Sequence, residues 1–418
     1  MPPRGDAHRE PPPLTTEQTT TESVPESSAD GADVIVVGGN MGGLAAGIAL
    51  RKVGLRPIVL ERMPSQPHVN GGLHIWTNGS KALAWLGIED ELRAKGAPVD
   101  TLEFNDWRGR NLLRAKISEI ERKYGGHGAF FIPRVDLPRA LLGALGDGTV
   151  RWGSNVTSVR DDGKGVTATL DDGTEIRGKV LIGADGIGSL VRRHLFGPIE
   201  PRSSGYEDWG AVVNLEHPAA PPGYYPTYWG PGTRLGIANI GHGRLYWAAA
   251  LQRSPEVRER GEAPLIADIL KQFRGWPEPI EQVVAATPQD AFYGAHIKDL
   301  KPMKQWGKGR ITLMGDAAHA TTPNAGRGAS EALEDAVVFS RLLAELPDLD
   351  DSARVAAALQ TYEDQRRKPT ASVTKLSWQI GMLGKWKNPV ACTVRGVYLR
   401  AITPPTVMSM KKDFKKVL

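Results

Sequence analysis

Three glycine-rich turns, each running from a short apolar strand into a helix, predict an α/β fold. In it a parallel-sheet domain is combined with a mixed antiparallel-sheet domain and a C-terminal helical region. The turns fall at 38–43, 183–186 and 315–328 of the 418-residue chain. A second observation is the aromatic block of residues 200–300, set among Gly and Pro in short alternating runs. A third is the helix-forming, strongly basic sequence that follows residue 346.

Asp33 to Leu50 reads DVIVVGGNMGGLAAGIAL. Val34–Val37 have the composition of a buried parallel strand, and Leu44, Ile48 and Leu50 lie where a helix packs back on the sheet. The turn between them aims backbone N–H groups at a pyrophosphate. Gly38 serves the tight turn and Gly43 the close helix packing, while the middle position of this dinucleotide-binding fingerprint is Asn40. Asparagine tolerates a left-handed backbone, which keeps the turn, but its side chain occupies space that phosphates approach. The next strand, Pro57–Leu60, ends at Glu61, where such a fold places a carboxylate on the adenosine ribose hydroxyls.

Ser80–Leu86 reads as a short helix stopped by Gly87, and IPRVDLPRALLGAL at 132–145 as Arg134 followed by an amphipathic helix. Val166–Leu170 and Glu175–Ile182 flank Asp171-Asp172-Gly173-Thr174, a hairpin whose second strand runs back into the first sheet. The aromatic residues of 200–300 fit a twisted antiparallel sheet and either line an apolar pocket or fill a core. Trp209, Tyr228, Trp229, Tyr246 and Trp247 are the pocket candidates. The expected organisation is a disordered leader at 1–30 and a first domain at 31–199 with inserted segments. The antiparallel sheet follows at 200–300, then a return to the first domain at 301–345 and a helical basic region at 346–418.

The single cysteine, Cys392, excludes an intramolecular disulfide and a cysteine-based metal cluster, and points to a reducing cytoplasm. Neither a signal peptide nor a transmembrane span is expected. The net charge of +5 is uneven: Arg366–Leu418 carries 12 Lys/Arg against one acid, and the remainder is net acidic. Lys411, Lys412, Lys415 and Lys416 follow an apolar stretch there. They read either as a solvated basic helix or as a peripheral contact with an anionic membrane or acidic partner. No nucleic-acid-binding module accompanies these charges, so nucleic acid is not an expected partner.

Together, the turn at 38–43, GADG at 183–186 and GDAAHATTPNAGRGASEALEDA at 315–336 resemble the FAD-dependent aromatic hydroxylases. These are the single-component flavoprotein monooxygenases with the para-hydroxybenzoate hydroxylase fold. The resemblance covers about residues 32–345 and implies a Rossmann-like FAD-binding domain with a mixed antiparallel-sheet substrate domain. The C-terminal helical stretch is similar to the branch that includes zeaxanthin-epoxidase-like and salicylate-hydroxylase-like enzymes. The resemblance implies that Gly38 and Gly43 receive the FAD pyrophosphate, Glu61 the ribose, and Arg62 and Arg134 further cofactor contacts. It places Gly71 and Gly72 close to the flavin ahead of Asn78, and Asp316 on the ribityl chain. Pro323 to Ala329, with Gly326 and Gly328, would wrap the isoalloxazine, the helix after Gly328 supporting negative charge on the reduced ring. Asp185 is similar to a residue linked to FAD and NAD(P)H handling, or is a helix N-cap. Arg327 stands where many relatives carry Gln, and either adds a fixed charge near the flavin or points to solvent.

Enzymes of this kind reduce FAD with NAD(P)H and add O2 to form a flavin C4a-hydroperoxide. That species hydroxylates or epoxidises an aromatic or polyunsaturated apolar small molecule. Because the chemistry is flavin-borne, no Ser-His-Asp set, paired catalytic carboxylates or metal cluster is needed and no catalytic side chain is assigned, while His74, His242, His296 and His319 read either as proton carriers or, in preference, as structural. No W-x-W-x-I-P or F-x-G-x3-H string occurs, which lowers the halogenase and Baeyer–Villiger readings. A related flavin oxidase or reductase is the alternative, followed by a non-catalytic nucleotide-binding protein.

Overall fold

Ala32–Val37 forms a central strand of a seven-stranded sheet, with Val34, Ile35 and Val36 fully buried, because a strand between parallel neighbours is covered on both faces. The computed structural model describes residues 31–67, 70–254, 256–257 and 263–401. The leader at 1–30 and the lysines at 411–416 lie outside these residues. Strand order is Val150–Trp152, Pro57–Glu61, Ala32–Val37, Glu175–Gly183, Val166–Leu170 and Val156–Asp161, with Ile311–Leu313 also pairing with Glu175–Gly183.

Glu175–Gly183 changes partner along its length. Glu175–Gly178 runs antiparallel to Val166–Thr169 in the expected hairpin, and Leu181–Gly183 runs parallel to Ile311–Leu313. Val37, Gly183 and Leu313 are therefore in register, and the three glycine turns leave the sheet at one edge. Helix Met41–Lys52 buries eight consecutive residues, Gly43–Leu50, since helices Asp136–Leu145 and Gly328–Ala344 cover the face it turns away from the sheet.

The second sheet is larger than residues 200–300 alone provide. Its order is Tyr293–Asp299, Arg202–Asn214, Arg244–Leu251, Arg234–Asn239, Gly223–Trp229, Ala97–Asp106, Phe130–Pro133 and Gly72–Ile75, with Asn111–Lys116 on Ala97–Asp106. Gly223–Trp229 runs parallel to Ala97–Asp106, so the sheet is mixed. The recruited strand was hard to read because its inward positions include Thr101, Glu103 and Asn105, which blur the apolar alternation. Glu103 is satisfied there by Tyr224 Oη (2.9 Å) and Arg114 (2.9 Å).

Among the described residues the C-terminal region is helical. Asp351 caps helix Ser352–Gly384 by accepting the N–H groups of Ala353 and Arg354, and the chain is helical again over 389–401. No helix among the described residues is long and apolar enough to cross a membrane.

Candidate functional site

Gly38 adopts φ +109°, a conformation open to glycine, and a Cβ on Gly43 would fall 1.8 Å from the Gly38 carbonyl oxygen. A Cβ on Gly38 would fall 2.5 Å from the Ala184 oxygen, so the first two turns pack directly on each other. Glu61 accepts the N–H of Gly39 (2.6 Å) and of Met63 (2.9 Å), tying the second strand to the turn. Arg62 is exposed. The expectation of a left-handed Asn40 is corrected: its φ is −93° and ψ −169°, and the positive φ falls on Gly38 instead. The Asn40 side chain folds back to accept the Met41 N–H (2.8 Å), one of the donors that a helix start offers to an anion.

A cleft lined by Gly39, Asn40, Met41, Gln66, Arg134 and Pro138 opens beside this turn. Gln66 Nε2 and Arg134 Nε are buried donors without a hydrogen-bond partner among the described residues. Orphaned donors next to a helix N-terminus, with glycines excluding Cβ atoms, fit the phosphates of a dinucleotide such as FAD.

The Gly315-Asp316 turn stands on a buried ionic network. The Gly315 N–H donates to Asp335 (2.9 Å), whose other contacts are His319 (2.6 Å) and Arg366 (2.7 Å). Arg366, 2% exposed, also donates to Glu331 (2.7 Å) and Glu334 (2.5 Å). Burial raises the Asp335 carboxyl, but the His319 and Arg366 charges outweigh it and hold the pKa at about 2. Desolvation lowers His319, and Asp335 more than restores it, leaving its pKa raised. Glu331, Glu334 and Asp335 recur at i, i+3 and i+4, one helix face, and that spacing was the overlooked sign of a shared partner. Asn78 donates to Glu334 (2.9 Å), and Arg327 turns inward to Glu331 (2.7 Å) instead of into solvent.

Asp316 itself makes no hydrogen bond or ion pair among the described residues. Its side chain is accessible at the bottom of a recess walled by protein, which raises its pKa against the pull of His319 and Arg134. Such a carboxylate suits an acceptor for ligand hydroxyls. Asp185 is engaged differently: its oxygens accept Ser189 Oγ (2.5 Å) and the first N–H groups of helix Leu190–Phe196, those of Leu190 (2.7 Å) and Val191 (3.2 Å), while the N-cap residue itself is Ser189.

The loop Pro323–Ala329 meets the second sheet. Asn324 bonds Tyr206 Oη (2.7 Å), the Ser377 carbonyl (2.8 Å) and Arg234, and Trp76 Nε1 donates to the Ala325 carbonyl (3.1 Å). Gly326 has φ +63° and faces His74, which burial and the Arg327 charge bring down to about 3, so the imidazole is neutral. Gly71 and Gly72 approach the same sheet: Cβ atoms there would fall 2.1 Å from Tyr293 Oη and 2.2 Å from Tyr246 Cδ1.

Strand alternation sorts the aromatic candidates. Trp209 and Trp247 point away from this loop into a buried core with Phe273, Trp276 and Phe292, which corrects their assignment to a pocket, and Tyr228, in the same core, lines a separate surface cleft with Asp100, Arg114 and Tyr224. Trp229 is 2% exposed and packs with Leu112 and Leu399, so it is a core residue too. Of the five, Tyr246 alone borders the recess, joined by Tyr225 and Tyr293 of the same aromatic block and by Asp208 and Arg234, which no motif in the sequence marks. Register, not composition, selects them.

The family described as FAD binding domain matches residues 31–377. The chain is 34% identical over 380 residues to the aurachin C monooxygenase/isomerase of Stigmatella aurantiaca, covering 90% of this chain and 96% of that protein. It is 32% identical over 334 residues to an FAD-dependent urate hydroxylase of Klebsiella pneumoniae, covering 79% and 85%. The crystal structure of Klebsiella pneumoniae HpxO complexed with FAD and uric acid superposes with a TM-score of 0.81 at 28% identity, covering 92% of this chain and 96% of that one. The glycine cradle, the recess that ends at Asp316 and this kinship agree: the chain belongs to the FAD binding domain family and is a flavoprotein monooxygenase.

Proposed function

We propose that the protein uses NAD(P)H and O2 to hydroxylate or epoxidise an aromatic or polyunsaturated apolar small molecule held against the Tyr225, Tyr246 and Tyr293 face of the second sheet. The observation that carries this reading is the meeting of the Pro323–Ala329 loop with that face, through Asn324, Tyr206 and Arg234. Bound FAD supplies the reductive activation of O2 and the transfer of one oxygen atom. Gly38, Gly43 and Arg134 would hold its phosphates, Glu61 and Asp316 its sugar and ribityl hydroxyls, and the 323–329 loop its ring. The tyrosine rings and the strand Gly72–Ile75 exclude water around the reacting carbon. The urate hydroxylase relatives support a planar ring as substrate. A substrate screen under 18O2 tests the reading: label in the product is expected, and substrate-dependent NAD(P)H oxidation with unlabelled product favours an oxidase or reductase.

A second reading concerns the C-terminus and a peripheral membrane contact. Over 389–401 the helix is inverted: Arg395 is buried and donates to the Gly230 carbonyl (3.1 Å), while Val390, Val394, Val397 and Tyr398 are exposed. An outward apolar stripe beside exposed Lys387 and Arg400 suits an anionic bilayer. Co-sedimentation of the full chain with phosphatidylglycerol vesicles, lost in Val394→Asp and weak with phosphatidylcholine, is the expected result. No sedimentation with either lipid overturns it.

A further inference from the structure

Two neighbouring acids on strand Arg202–Asn214 face opposite sides of the second sheet and have opposite fates. Glu207, on the core side, is fully engaged: Arg253 donates to it twice (2.5 and 3.1 Å) and Trp209 Nε1 once (3.3 Å). Asp208, on the recess side, makes no hydrogen bond or ion pair among the described residues, although it is only half-buried and lies deep in the protein. Buried and half-buried carboxylates are normally supplied with donors by their own chain, so an unsupplied one in a ligand recess is a group waiting for a donor from elsewhere.

The floor around it is built to admit a flat ring. Asp208 lies opposite Ala250 and Ala295, and Arg234 lies opposite the same Ala250, so the two charges flank one alanine at two strand spacings, roughly 10 Å backbone to backbone. The next row on this face is Gly210, Ala248 and Gly236, and a Cβ on Gly236 would fall 3.0 Å from Tyr225 Oη. Small residues below and tyrosine rings around leave a shallow aromatic slot with an acceptor at one end. Arg234 is occupied by Asn324, which leaves Asp208 as the charged group of the slot that no side chain engages.

We propose that Asp208 accepts a hydrogen bond from a ring N–H or phenolic O–H of the substrate, so that the recess selects donor-bearing aromatic rings over their N- or O-alkylated forms. The proposal rests on the monooxygenase reading for what the recess binds. Desolvation raises the Asp208 carboxyl, with Arg234 opposing it, which makes the ionised form a stronger acceptor. Asp208 in turn adds to the raised pKa values of Tyr225 and Tyr293, both pushed up to about 12 chiefly by burial, so these hydroxyls stay protonated beside it.

The test titrates the FAD-loaded full chain with matched probes: 2-methyl-4(1H)-quinolone against 1,2-dimethyl-4-quinolone, and 2-naphthol against 2-methoxynaphthalene. Binding is read from the perturbation of the flavin absorption. A charge-assisted hydrogen bond predicts a preference of about tenfold to a hundredfold for the donor-bearing member in at least one pair. In Asp208→Ala that ratio should fall to within about twofold by loss of affinity for the donor-bearing member alone. Asp208→Asn, which keeps an acceptor oxygen, should lie between. The proposal is overturned if the wild-type chain prefers neither donor, including by failing to bind both pairs, or if the preference survives in Asp208→Ala. It is overturned equally if Asp208→Ala weakens both members of a pair alike, as a merely structural residue would. FAD retention and 18O incorporation, measured on the same wild-type preparation, judge the monooxygenase reading separately from the ratio.

Discussion

The cofactor cradle and the tyrosine recess are built from different materials. The cradle is backbone: three turns leave one edge of the first sheet, and their requirements are a positive φ at Gly38 and the absence of a Cβ at Gly43. The recess is side chains: Asp208, Tyr225, Arg234, Tyr246 and Tyr293 come from five strands and share one face of the second sheet. Binding a shared cofactor needs a fixed backbone shape, whereas choosing a substrate needs exchangeable groups on a rigid floor. The two regions should therefore respond differently to substitution.

The largest effect is expected where the supports of the two regions are removed. Arg366→Met leaves Glu331, Glu334 and Asp335 without their common cation and should cost about 3–5 kcal/mol of stability, read by denaturant unfolding, with loss of bound FAD. Trp247→Ala, on the core face of the second sheet, should cost about 3–5 kcal/mol as well. Tyr246→Phe, one residue away on the other face, should leave stability within about 1 kcal/mol and keep the flavin. Equal losses for Trp247→Ala and Tyr246→Phe would erase the distinction between the faces.

The same network makes stability depend on pH at the acid end. The Asp335 carboxyl is held at about 2, below its ordinary 3.8, so its contribution is complete above about pH 4. It is lost as pH falls through about 2. His319 works in the other direction: its raised pKa stabilises the fold below its ordinary 6.5, and this contribution fades as pH rises through the raised value. Asp335→Asn should flatten both arms of a stability–pH curve measured by thermal unfolding.

Next in size is the cofactor contact. Asp316→Ala should weaken FAD binding about tenfold to a hundredfold, since a ligand hydroxyl loses its acceptor at a cost of about 1–3 kcal/mol, while the unfolding free energy stays close to wild type. Unchanged flavin affinity by titration would remove Asp316 from the cradle. The smallest effect is at Asn40. Exchanging it for glycine should change stability by only a few tenths of a kcal/mol, because both residues are good N-caps. It should tighten FAD by freeing the Met41 N–H and clearing the approach to the turn. Weaker binding in Asn40→Gly would instead make the amide a phosphate ligand.

Much of the cradle was legible in the sequence. A strand, a glycine turn and a helix are local structures: the positive φ of Gly38 and the approach of Gly43 to the Gly38 carbonyl are set within six residues, and only the packing of Gly38 on Ala184 is long-range. The hairpin through Asp171–Thr174 and the inward Leu137 and Leu141 were readable for the same reason. Asn40 was misjudged in conformation because the fingerprint aligns it with a glycine without fixing which residue bears the positive φ. What only the tertiary structure decided is everything that depends on two distant segments being in register. Five aromatic residues of similar composition were equal candidates along the chain, yet the pleat of the sheet sends Tyr246 to the recess and Trp247 to the core. Asp208 and Glu207 are likewise adjacent carboxylates, one supplied by Arg253 across 46 residues and one left for a ligand. A side-chain period of two converts a one-residue step into a change of face. Which face is which is set by the strands and helices that cover it, not by the residues themselves.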